Sequence, residues 1–440
     1  MATITLPANN WKPRPYQLPF WKYMETHPSG RAVIAWHRRA GKDLTCINWT
    51  AKASMQRVGL YWLVFPLLNQ GRRIAWTGMD GEGIPFIDAW PKELVASKQS
   101  GEMRLTLKNG SVIQIMGADQ PDRAVGANPI GMVFSEYSLC DPTIWQLTLP
   151  ILAENGGWAV FNGTPRGENH FYDILLEAQS NKKWFGSHLT ARDTKAVTPE
   201  ALIEARQEAK DEALFQQEFM TSFSSPLQGA YYASQMKQLS KQNRFLDRIS
   251  PDPKLDVHTA WDLGVADKTA IWFYQQFQSE IRILDYYENS GEGLPFYIRV
   301  LREWQEDNGI VYGKHFAPHD IKVRELTSGK SRYETARELG IRFSIVQKHT
   351  IEDGIDQTRN LLPRCWFDRA KCHRGINALK SYKKEYDALR DTFKPKPLHD
   401  WSSHAADAFR YLAWGFKDAQ KERSRERIGS RYSTDYSVFD

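Results

Sequence analysis

The sequence predicts an α/β protein made of two domains in succession, on the basis of three observations. A chain of 440 residues is too long for one hydrophobic core, since single cores rarely grow beyond about 250–300 residues. Residues 31–165 alternate short apolar runs with polar or helical stretches, which is typical of a largely parallel sheet. A second pattern of this kind begins at Val257, after the interior segment with the most linker-like composition.

The first domain, residues 1–195, is defined by five apolar runs that we expect to be buried strands. Each run ends at a turn and is followed by a polar or helical stretch, which predicts a mainly parallel sheet. The runs are Arg31–Trp36, Gly59–Phe65, Ser111–Met116, Gly131–Phe134 and Trp158–Phe161.

Two connecting segments follow this domain. Residues 196–225 contain a charged, helical pattern from Pro199 to Phe223, which predicts a lid-like helical subdomain rather than more sheet. Residues 226–254 are rich in proline, serine and other turn-forming residues, so we expect a linker there.

The second domain is predicted over residues 255–416, with a basic and flexible tail over residues 417–440. Two strands around a polar turn are expected over 257–276, because the apolar runs there flank a Gly- and Asp-containing turn. The tail lacks an apolar stripe, so we expect it to be mobile in isolation. Further elements are expected at Ile281–Tyr287 (strand), Leu294–Glu306 (helix), Gly313–Ala317 (strand) and Trp401–Gly415 (helix).

Composition narrows the class of protein without identifying a function. No apolar run approaches the ~20 residues that a membrane-spanning helix needs. The net charge of +6 and the pI near 8.9 are compatible with a polyanionic partner but are also found in ordinary enzymes. The four cysteines are scattered and form no C-x-x-C pair, which favours a reduced cytosolic protein.

A phosphate-binding loop is predicted where the first apolar run ends. The segment 33–43 (VIAWHRRAGKD) is a strand running into a loop that ends in Gly41 and Lys42. Such a loop needs backbone N–H groups aimed at the anion, a helix N-terminus behind them and a lysine for the outer phosphates. The pattern G-x-x-x-x-G-K-[ST] is broken twice, by Trp36 and by Asp43, so the match alone also fits an ordinary strand–turn–helix.

Polar residues follow two later strands of the same domain. After Met132–Phe134 come Ser135 and Glu136, where such enzymes place a magnesium-binding acid and a glutamate that orients water. Glu136 is therefore a candidate general base, although an exposed acid at a strand end would have the same sequence. The third strand ends in a small polar turn at 162–165, Asn-Gly-Thr-Pro.

The motifs RRAGKD, VFSE and FNGTPRG, in this order and spacing, resemble the ATPase motifs of the large terminase subunits of tailed bacteriophages. The resemblance implies a P-loop ATPase domain that uses ATP and Mg²⁺. It assigns the coupling of hydrolysis to motion to Asn162, Gly163 and Thr164. Nucleotide binding is assigned by the resemblance and the loop together to Tyr16, Gln17, Arg38, Arg39, Ala40, Gly41, Lys42 and Asp43.

Three arginines are candidates for stabilising the charge that develops on the transferred phosphoryl group. Arg123, in the segment DRAVG, resembles the family's arginine that reaches the nucleotide of a neighbouring subunit. Arg38 and Arg39 could act in the same way within one subunit.

Asp43 and Ser135 suggest an exchange of magnesium ligands between two motifs. Asp43 stands where a hydroxyl is usual, and Ser135 stands where a carboxylate is usual. Because Mg²⁺ is a hard cation that accepts either kind of oxygen, the exchanged pair still offers one of each.

Three acids in the second domain are candidates for a two-metal nuclease site, which requires carboxylates converging on ions ~3.5–4 Å apart. They are Asp262 on the first strand, Asp320 after a later strand and Asp407 on the last helix. Their motifs WDLG, HD and HxxDAxRY resemble the nuclease domain of the same terminase family. The resemblance therefore covers about residues 16–416 and implies a smaller, RNase H-like α/β domain in which these acids bind Mg²⁺ or Mn²⁺ for cutting DNA.

Other polar residues of this domain are weaker candidates. Asp400 precedes two serines at a predicted helix start, so a helix cap is at least as good an interpretation as a metal ligand. Asp267 and Asp285 could be solvated turn or strand residues. His404 lies three residues before Asp407 on one helical face, where it could orient a metal ligand or simply pack.

Taken whole, the resemblance implies a viral DNA-packaging motor subunit that hydrolyses ATP and cleaves DNA. Its implied partners are double-stranded DNA, a portal protein and a small terminase subunit. It would act as a homo-oligomeric ring at the procapsid portal vertex, in the host cell cytoplasm and away from membranes.

Two alternatives stay open at this point. A helicase-like repair ATPase fused to a nuclease would need strand-separating motifs in a second motor domain, and the chain after Pro199 offers none. A degenerate protein could bind DNA through its altered loop without turnover. An ATPase assay with and without DNA would distinguish it from the motor.

Overall fold

The chain divides into two compact units, Met1–Pro226 and Leu227–Asp440, each described below by itself. No helix in the described part of the chain is long and apolar enough to cross a membrane. The backbone alone is described for residues 122, 387 and 418–429. The computed structural model describes residues 4–209, 211–224, 227–264, 268–323, 330–387 and 392–429.

The first unit alternates strands and helices along the chain. Short helical turns of other types lie at Arg72–Trp76, Phe86–Ala89, Lys92–Leu94, Pro121–Ala124 and Tyr137–Leu139. The strands and α-helices are α1 (Leu18–Thr26), β1 (Arg31–Trp36), α2 (Lys42–Gln56), β2 (Leu60–Phe65), α3 (Leu68–Gly71), β3 (Val95–Gln99), β4 (Arg104–Leu107), β5 (Val112–Gly117), β6 (Pro129–Phe134), α4 (Thr143–Asn155), β7 (Trp158–Gly163), α5 (His170–Ser180), β8 (Trp184–Leu189), α6 (Ala191–Thr194), α7 (Pro199–Glu208) and α8 (Glu212–Glu218).

These strands form one sheet in the order β3-β4-β5-β2-β6-β7-β1-β8. The strands from β5 to β8 in this order pair in parallel, and only β3 and β4 are antiparallel additions at one edge. The five predicted strands are thus confirmed, and so is the mainly parallel sheet. Because parallel strands end at one edge of a sheet, the residues after β1, β6 and β7 lie side by side.

Both faces are buried along the central strands of this sheet, as a parallel sheet requires. Alternate residues of β1 enter two different cores: Ile34 and Trp36 pack on one face, whereas Val33 and Ala35 pack on the other. Every residue of β6 and β7 is buried. The continuous apolar runs in the sequence therefore reflect burial on both faces.

The second unit contains a mixed sheet and a separate hairpin. Short helical turns lie at His319–Lys322 and Leu362–Arg364. The strands and α-helices are α9 (Ala233–Lys241), β9 (Phe245–Leu246), β10 (Val257–Asp262), β11 (Thr269–Phe277), β12 (Glu280–Asn289), α10 (Leu294–Asn308), β13 (Tyr312–Ala317), α11 (Arg332–Glu338), β14 (Phe343–Ile345), α12 (Ile351–Leu361), β15 (Cys365–Asp368), α13 (His373–Ser381), β16 (Lys384–Asp387), β17 (Thr392–Pro397) and α14 (Ser403–Gly429).

The mixed sheet has the order β14-β13-β10-β11-β12-β15-β9. Its centre is the antiparallel meander β10-β11-β12, and the flanking strands pair in parallel. On β11, Trp272 faces the core that contains α14, whereas Ile271 and Phe273 face the opposite core. The predicted α/β class of this second domain is confirmed.

The structure differs from the linker that the sequence predicts over 226–254. Much of this segment packs into the core of the second unit. Tyr232, Met236 and Leu239 are buried at helical spacing on and beside α9, and Phe245 in β9 is also buried. The i, i+4, i+7 pattern of an amphipathic helix is present there, but the flanking Ser- and Pro-rich stretches obscure it.

The last helix is also longer than expected. The sequence predicts that it ends near Gly415, yet α14 continues to Gly429 and so covers about half of the expected tail. Residues 430–440 lie outside the described part of the chain. The sequence analysis also missed the β3-β4 hairpin and β8, whose residues are mostly half-exposed and form no buried apolar run.

Candidate functional sites

The predicted phosphate-binding loop connects β1 to α2 and has the backbone shape that such a loop needs. Arg39 and Gly41 both adopt left-handed conformations, with φ of 70° and 74°. Gly41 is the N-cap of α2, so the free N–H groups at the start of this helix face the loop. Glycine adopts this φ without strain, whereas Arg39 adopts a similar φ at the cost that a side chain brings.

Trp36, where the first glycine of the pattern is usual, does not enter the loop. Its side chain is fully buried in the core of the first unit, and its Nε1 donates to Ser187 Oγ at 2.9 Å. Its ring packs edge-on against Phe20. The departure from the glycine pattern is therefore accommodated by the core and leaves the loop open.

Two residues upstream of β1 hold the loop from outside. The Tyr16 hydroxyl and the Gln17 amide Nε2 both donate to the carbonyl oxygen of Ala40 at 2.9 Å. Gln17 is buried, and its Oε1 accepts from the Arg14 N–H. The structure thus brings the predicted nucleotide-contacting pair to the loop.

Lys42 is buried beside the loop rather than extended into solvent. Its Nζ donates to the carbonyl oxygens of Trp36 at 3.1 Å and His37 at 3.2 Å, and to Thr164 Oγ1 at 3.1 Å. These neutral acceptors satisfy the ammonium group without neutralising its charge. An anion in the loop would therefore find a positioned positive charge.

Asp43, Ser135 and Asn162 meet at the carboxyl edge of the sheet. Asp43 Oδ1 accepts from Ser135 Oγ at 2.6 Å and from Asn162 Nδ2 at 3.1 Å. Ser135 and Asn162 are buried at the ends of the neighbouring strands β6 and β7. The two oxygens predicted to share a magnesium ion are thus within hydrogen-bonding distance.

Glu136 occupies a sharp bend directly after β6. Its φ of 48° is left-handed, which is uncommon for a residue with a side chain. Its Oε2 accepts from the Thr164 N–H at 3.4 Å, and its own N–H donates to Asn162 Oδ1 at 3.5 Å. The bend aims the carboxylate at the turn after β7, and Thr164 connects it to Lys42.

The candidate arginines occupy different environments. Arg123 is exposed in the turn Pro121–Ala124 and borders a groove next to Trp62, Asp119 and Gln120. Arg39 is exposed on the loop. Arg38 is also exposed, but its guanidinium is paired with Glu218 at 3.5 Å.

Glu218 and Arg166 are polar partners of the loop that the sequence analysis missed. Glu218, at the end of α8, is 7% exposed and pairs with Arg166 at 2.7 Å as well as with Arg38. Its carbonyl oxygen also accepts from the Arg38 N–H at 2.8 Å. One carboxylate from the helical segment therefore contacts both the loop and the turn after β7. The residues lie far apart in the chain, so no local pattern could have indicated this.

In the second unit, Asp262 lies at the end of β10 and is paired with His404. His404 Nδ1 is 3.0 Å from Asp262 Oδ2, and 9% of the histidine side chain is exposed. Burial raises the pKa of Asp262 to about 6; His404 opposes the shift, and the charge of Asp407 adds to it. This contact favours the interpretation in which His404 orients a metal ligand over the one in which it only packs.

Asp407 lies one helical turn after His404 on α14. Its Oδ1 accepts from Arg410 at 2.8 Å and from the Tyr382 hydroxyl at 3.3 Å. Arg410 is buried beside Asp407, and its positive charge also acts on Asp262. The charges of Asp262 and Asp407 interact with each other as well, so the two acids belong to one electrostatic cluster.

Asp320 is placed less tightly than the other two acids. It is exposed in the turn after β13. Burial raises the pKa of Tyr411, and the charges of Asp262, Asp407 and Asp320 add to that shift, so the three acids lie within electrostatic range of this phenol. Among the described residues, however, no group of three or more His, Cys, Asp or Glu is arranged to hold a metal ion.

Two of the weaker candidates, Asp400 and Asp285, make local hydrogen bonds that explain them without a metal ion. Asp400 Oδ1 accepts from the N–H and hydroxyl of Ser402, which is the behaviour of a cap at the start of α14. Asp285 accepts hydrogen bonds from Trp304 Nε1 at 2.8 Å and from the Tyr286 N–H at 2.7 Å, so its role is structural. Asp267 lies outside the described residues.

Comparisons with known proteins agree with the motifs. No protein-family model matches the chain. The terminase large subunit of Escherichia phage T5 is 25% identical over 330 residues, covering 70% of each chain. The large terminase of a thermophilic bacteriophage, solved with ADP, is 16% identical over 91% of this chain and 98% of its own, with a TM-score of 0.42. The P22 large terminase nuclease domain is 15% identical over 41% of this chain and 92% of its own, with a TM-score of 0.31. The chain is therefore similar, over 70% of its length, to a phage terminase large subunit, the family that its two sets of motifs resemble.

Proposed function

We propose that this chain is the motor subunit of a viral DNA-packaging machine, which hydrolyses ATP to move double-stranded DNA into a procapsid and cuts that DNA in its second unit. The observation that carries the proposal is the network of Lys42, Asp43, Ser135 and Glu136 at the carboxyl edge of the parallel sheet. Open α/β sheets bind their ligands at this edge. The relationship to the T5 terminase large subunit supports the same function.

In the ATP site, each side chain has a separate task. Lys42, together with the N–H groups of the loop and of α2, would bind the outer phosphates. Asp43 and Ser135 would hold Mg²⁺, which supplies charge neutralisation between the phosphates. Their fit rests on two hard oxygen donors already in contact.

Hydrolysis itself depends on the placement of a water molecule. Glu136 would orient it, because its carboxylate is anchored by the Thr164 N–H and aimed along the carboxyl edge of the sheet. Tyr16 and Gln17 would fix the loop against the nucleotide through Ala40. Arg39 lies on the exposed side of the loop, where it could reach the phosphates from the same chain.

Coupling of hydrolysis to motion is assigned to Asn162, Gly163 and Thr164. Thr164 bonds both Lys42 and Glu136, and Asn162 bonds Asp43. Any change in the phosphate ligands therefore changes the contacts of this turn. Arg166, two residues later, would pass the change to Glu218 and α8.

In the second unit, Asp262, Asp320 and Asp407 would hold Mg²⁺ or Mn²⁺, which would stabilise the charge that develops as a phosphodiester is hydrolysed. Asp262 and Asp407 carry like charges that interact with each other, and a divalent cation between them would offset this repulsion. His404 would position Asp262, and Arg410 would position Asp407.

The proposed partners follow from the same function. We propose a homo-oligomeric ring at the portal vertex in the host cell cytoplasm, with the portal protein and the small terminase subunit as partners. Arg123, exposed on the first unit, would complete the ATP site of the neighbouring copy. DNA contacts would be mainly to phosphates, so binding should weaken with salt.

The decisive experiment measures ATP hydrolysis by the full chain with and without DNA. Lys42→Ala should abolish hydrolysis, whereas Lys52→Ala is the matched control, because Lys52 lies on the same helix but pairs with Glu25. DNA cleavage by the same proteins is compared with Mn²⁺ and with EDTA. A wild-type chain that hydrolyses no ATP with DNA present would overturn the motor function and favour the non-hydrolysing alternative.

A further inference from the structure

A buried carboxylate near the candidate nuclease acids holds two cations. Only 5% of the Glu288 side chain is exposed, at the end of β12. Its Oε1 accepts from Lys268 Nζ at 3.0 Å and from Arg374 NH2 at 2.9 Å, and the Tyr286 hydroxyl donates to Oε2. Although burial opposes ionisation, Arg374 and Lys268 hold the pKa of Glu288 below its ordinary value, so the carboxylate is charged.

The strand register places this cluster on the same side of the sheet as the nuclease acids. Asp262 is opposite Ala270 on β11, and Ala270 is opposite Glu288 on β12. Residues directly opposite in antiparallel strands share a face, and two strand spacings amount to about 10 Å. Trp272, next along this face of β11, bonds the carbonyl of Ala405 on α14. The cluster therefore borders the surface where Asp262 and Asp407 lie.

The cluster pairs two cations with one carboxylate and is partly accessible. The Lys268 and Arg374 side chains are 20% and 17% exposed. The guanidinium of Arg374 also lies 5.4 Å from the ring centroid of Trp401, just before α14. Both long side chains are thus held in place, with part of each reachable from solvent.

Two positioned and partly exposed cations on the face of the sheet that carries Asp262 are suited to a phosphate, and arginine in particular matches phosphate geometry. We propose that Lys268 and Arg374, positioned by Glu288, form a subsite for a backbone phosphate of the DNA strand, next to the phosphodiester cut at the nuclease acids. The inference rests on the proposed nuclease function and names how its substrate is held.

The test measures binding of a short DNA duplex by the full chain in EDTA, over about 50 to 200 mM salt. Lys268→Met and Arg374→Gln should each weaken binding roughly threefold or more at the lower salt, and each should reduce the salt slope by about 1. Arg359→Gln is the matched control, since Arg359 also pairs with an acid, Asp356, but on α12. In Mn²⁺, the two variants should raise KM for DNA more than they lower kcat.

A measurement on the wild type avoids any variant that fails to fold. Bound duplex should protect Lys268 from acetylation, read by mass spectrometry, while Lys330, which pairs with Glu338, stays reactive. Unchanged affinity and slope in both variants, or equal acetylation of Lys268 with and without DNA, would overturn the subsite. If instead the variants lose DNA binding but the wild type cuts nothing with Mn²⁺, the subsite stands and the nuclease function fails.

Discussion

The two candidate sites differ in how closely their predicted side chains contact one another. At the ATP site, Asp43, Ser135 and Asn162 already bond one another, because they follow neighbouring parallel strands or start the helix between them. At the candidate nuclease site the acids come from a strand, a turn and a helix; the charge of Asp407 adds to the raised pKa of Asp262, while Asp320 is exposed. A parallel sheet edge assembles a site by topology, whereas repelling carboxylates need a cation to bring them together.

The largest effect should come from the nuclease acids. Asp262→Asn and Asp407→Asn should each reduce cleavage of DNA in Mn²⁺ by on the order of 10² or more, because each removes a charged metal ligand. ATP hydrolysis should be unchanged, since the loop lies in the other unit. Asp400→Asn, a change at the helix cap, is the matched control and should keep cleavage. A folded single variant that loses both activities would contradict the independence of the two sites.

Arg123 tests whether the ATP site is complete within one chain. Arg123→Ala should lose hydrolysis if its guanidinium acts on a neighbour, and Glu136→Ala should lose it from within. Mixing the two variants should restore part of the activity, because one type of mixed interface pairs an intact glutamate with an intact arginine. Hydrolysis by the mixture is the measurement. A mixture as inactive as either variant, under conditions where rings form, would exclude the role in trans.

The ligand exchange should give a smaller, non-additive effect. Asp43→Ser leaves two hydroxyls and too little negative charge for Mg²⁺, whereas Ser135→Asp leaves two carboxylates that repel. The double variant restores one of each and should recover activity beyond the sum of the single changes. The ATPase rate against Mg²⁺ concentration for all four proteins measures this. A double variant worse than both single ones would leave Ser135 as an ordinary strand-end residue.

The smallest effect concerns the stability of the metal-free nuclease unit. The folded pKa of Asp262, about 6, lies above its ordinary value of 3.8, so the folded chain binds this proton more tightly. The contribution to stability is fully present below 3.8 and is lost as the pH rises through about 6. In EDTA, the melting temperature of wild type relative to Asp262→Asn should fall between pH 4 and pH 7, by ~2–4 °C for each kcal/mol. A constant difference across this range would contradict the raised pKa.

The sequence predicts the contacts around the candidate phosphate-binding loop better than those of the segments beside it. The contact of Asp43 with Ser135 is predictable because both follow recognisable strand or loop signals, and parallel strands bring such ends together. Glu218 was not foreseen, since its pairing with Arg166 joins residues that are close only after folding. Likewise, α9 was mistaken for a linker, because local composition outweighed a short amphipathic pattern. Contacts that depend on long-range pairing leave no local signal.

Trp36 has a consequence for how this loop can vary between relatives. Its side chain lies in the core, where it packs on Phe20 and donates to Ser187, so the core and not the loop accommodates its volume. Large aromatic residues are then tolerated there as long as the core keeps room for them, while glycine would leave a cavity. Recognition of such loops in other genomes should therefore weight the Gly41-Lys42 end and the paired oxygens at 43 and 135 over the first glycine.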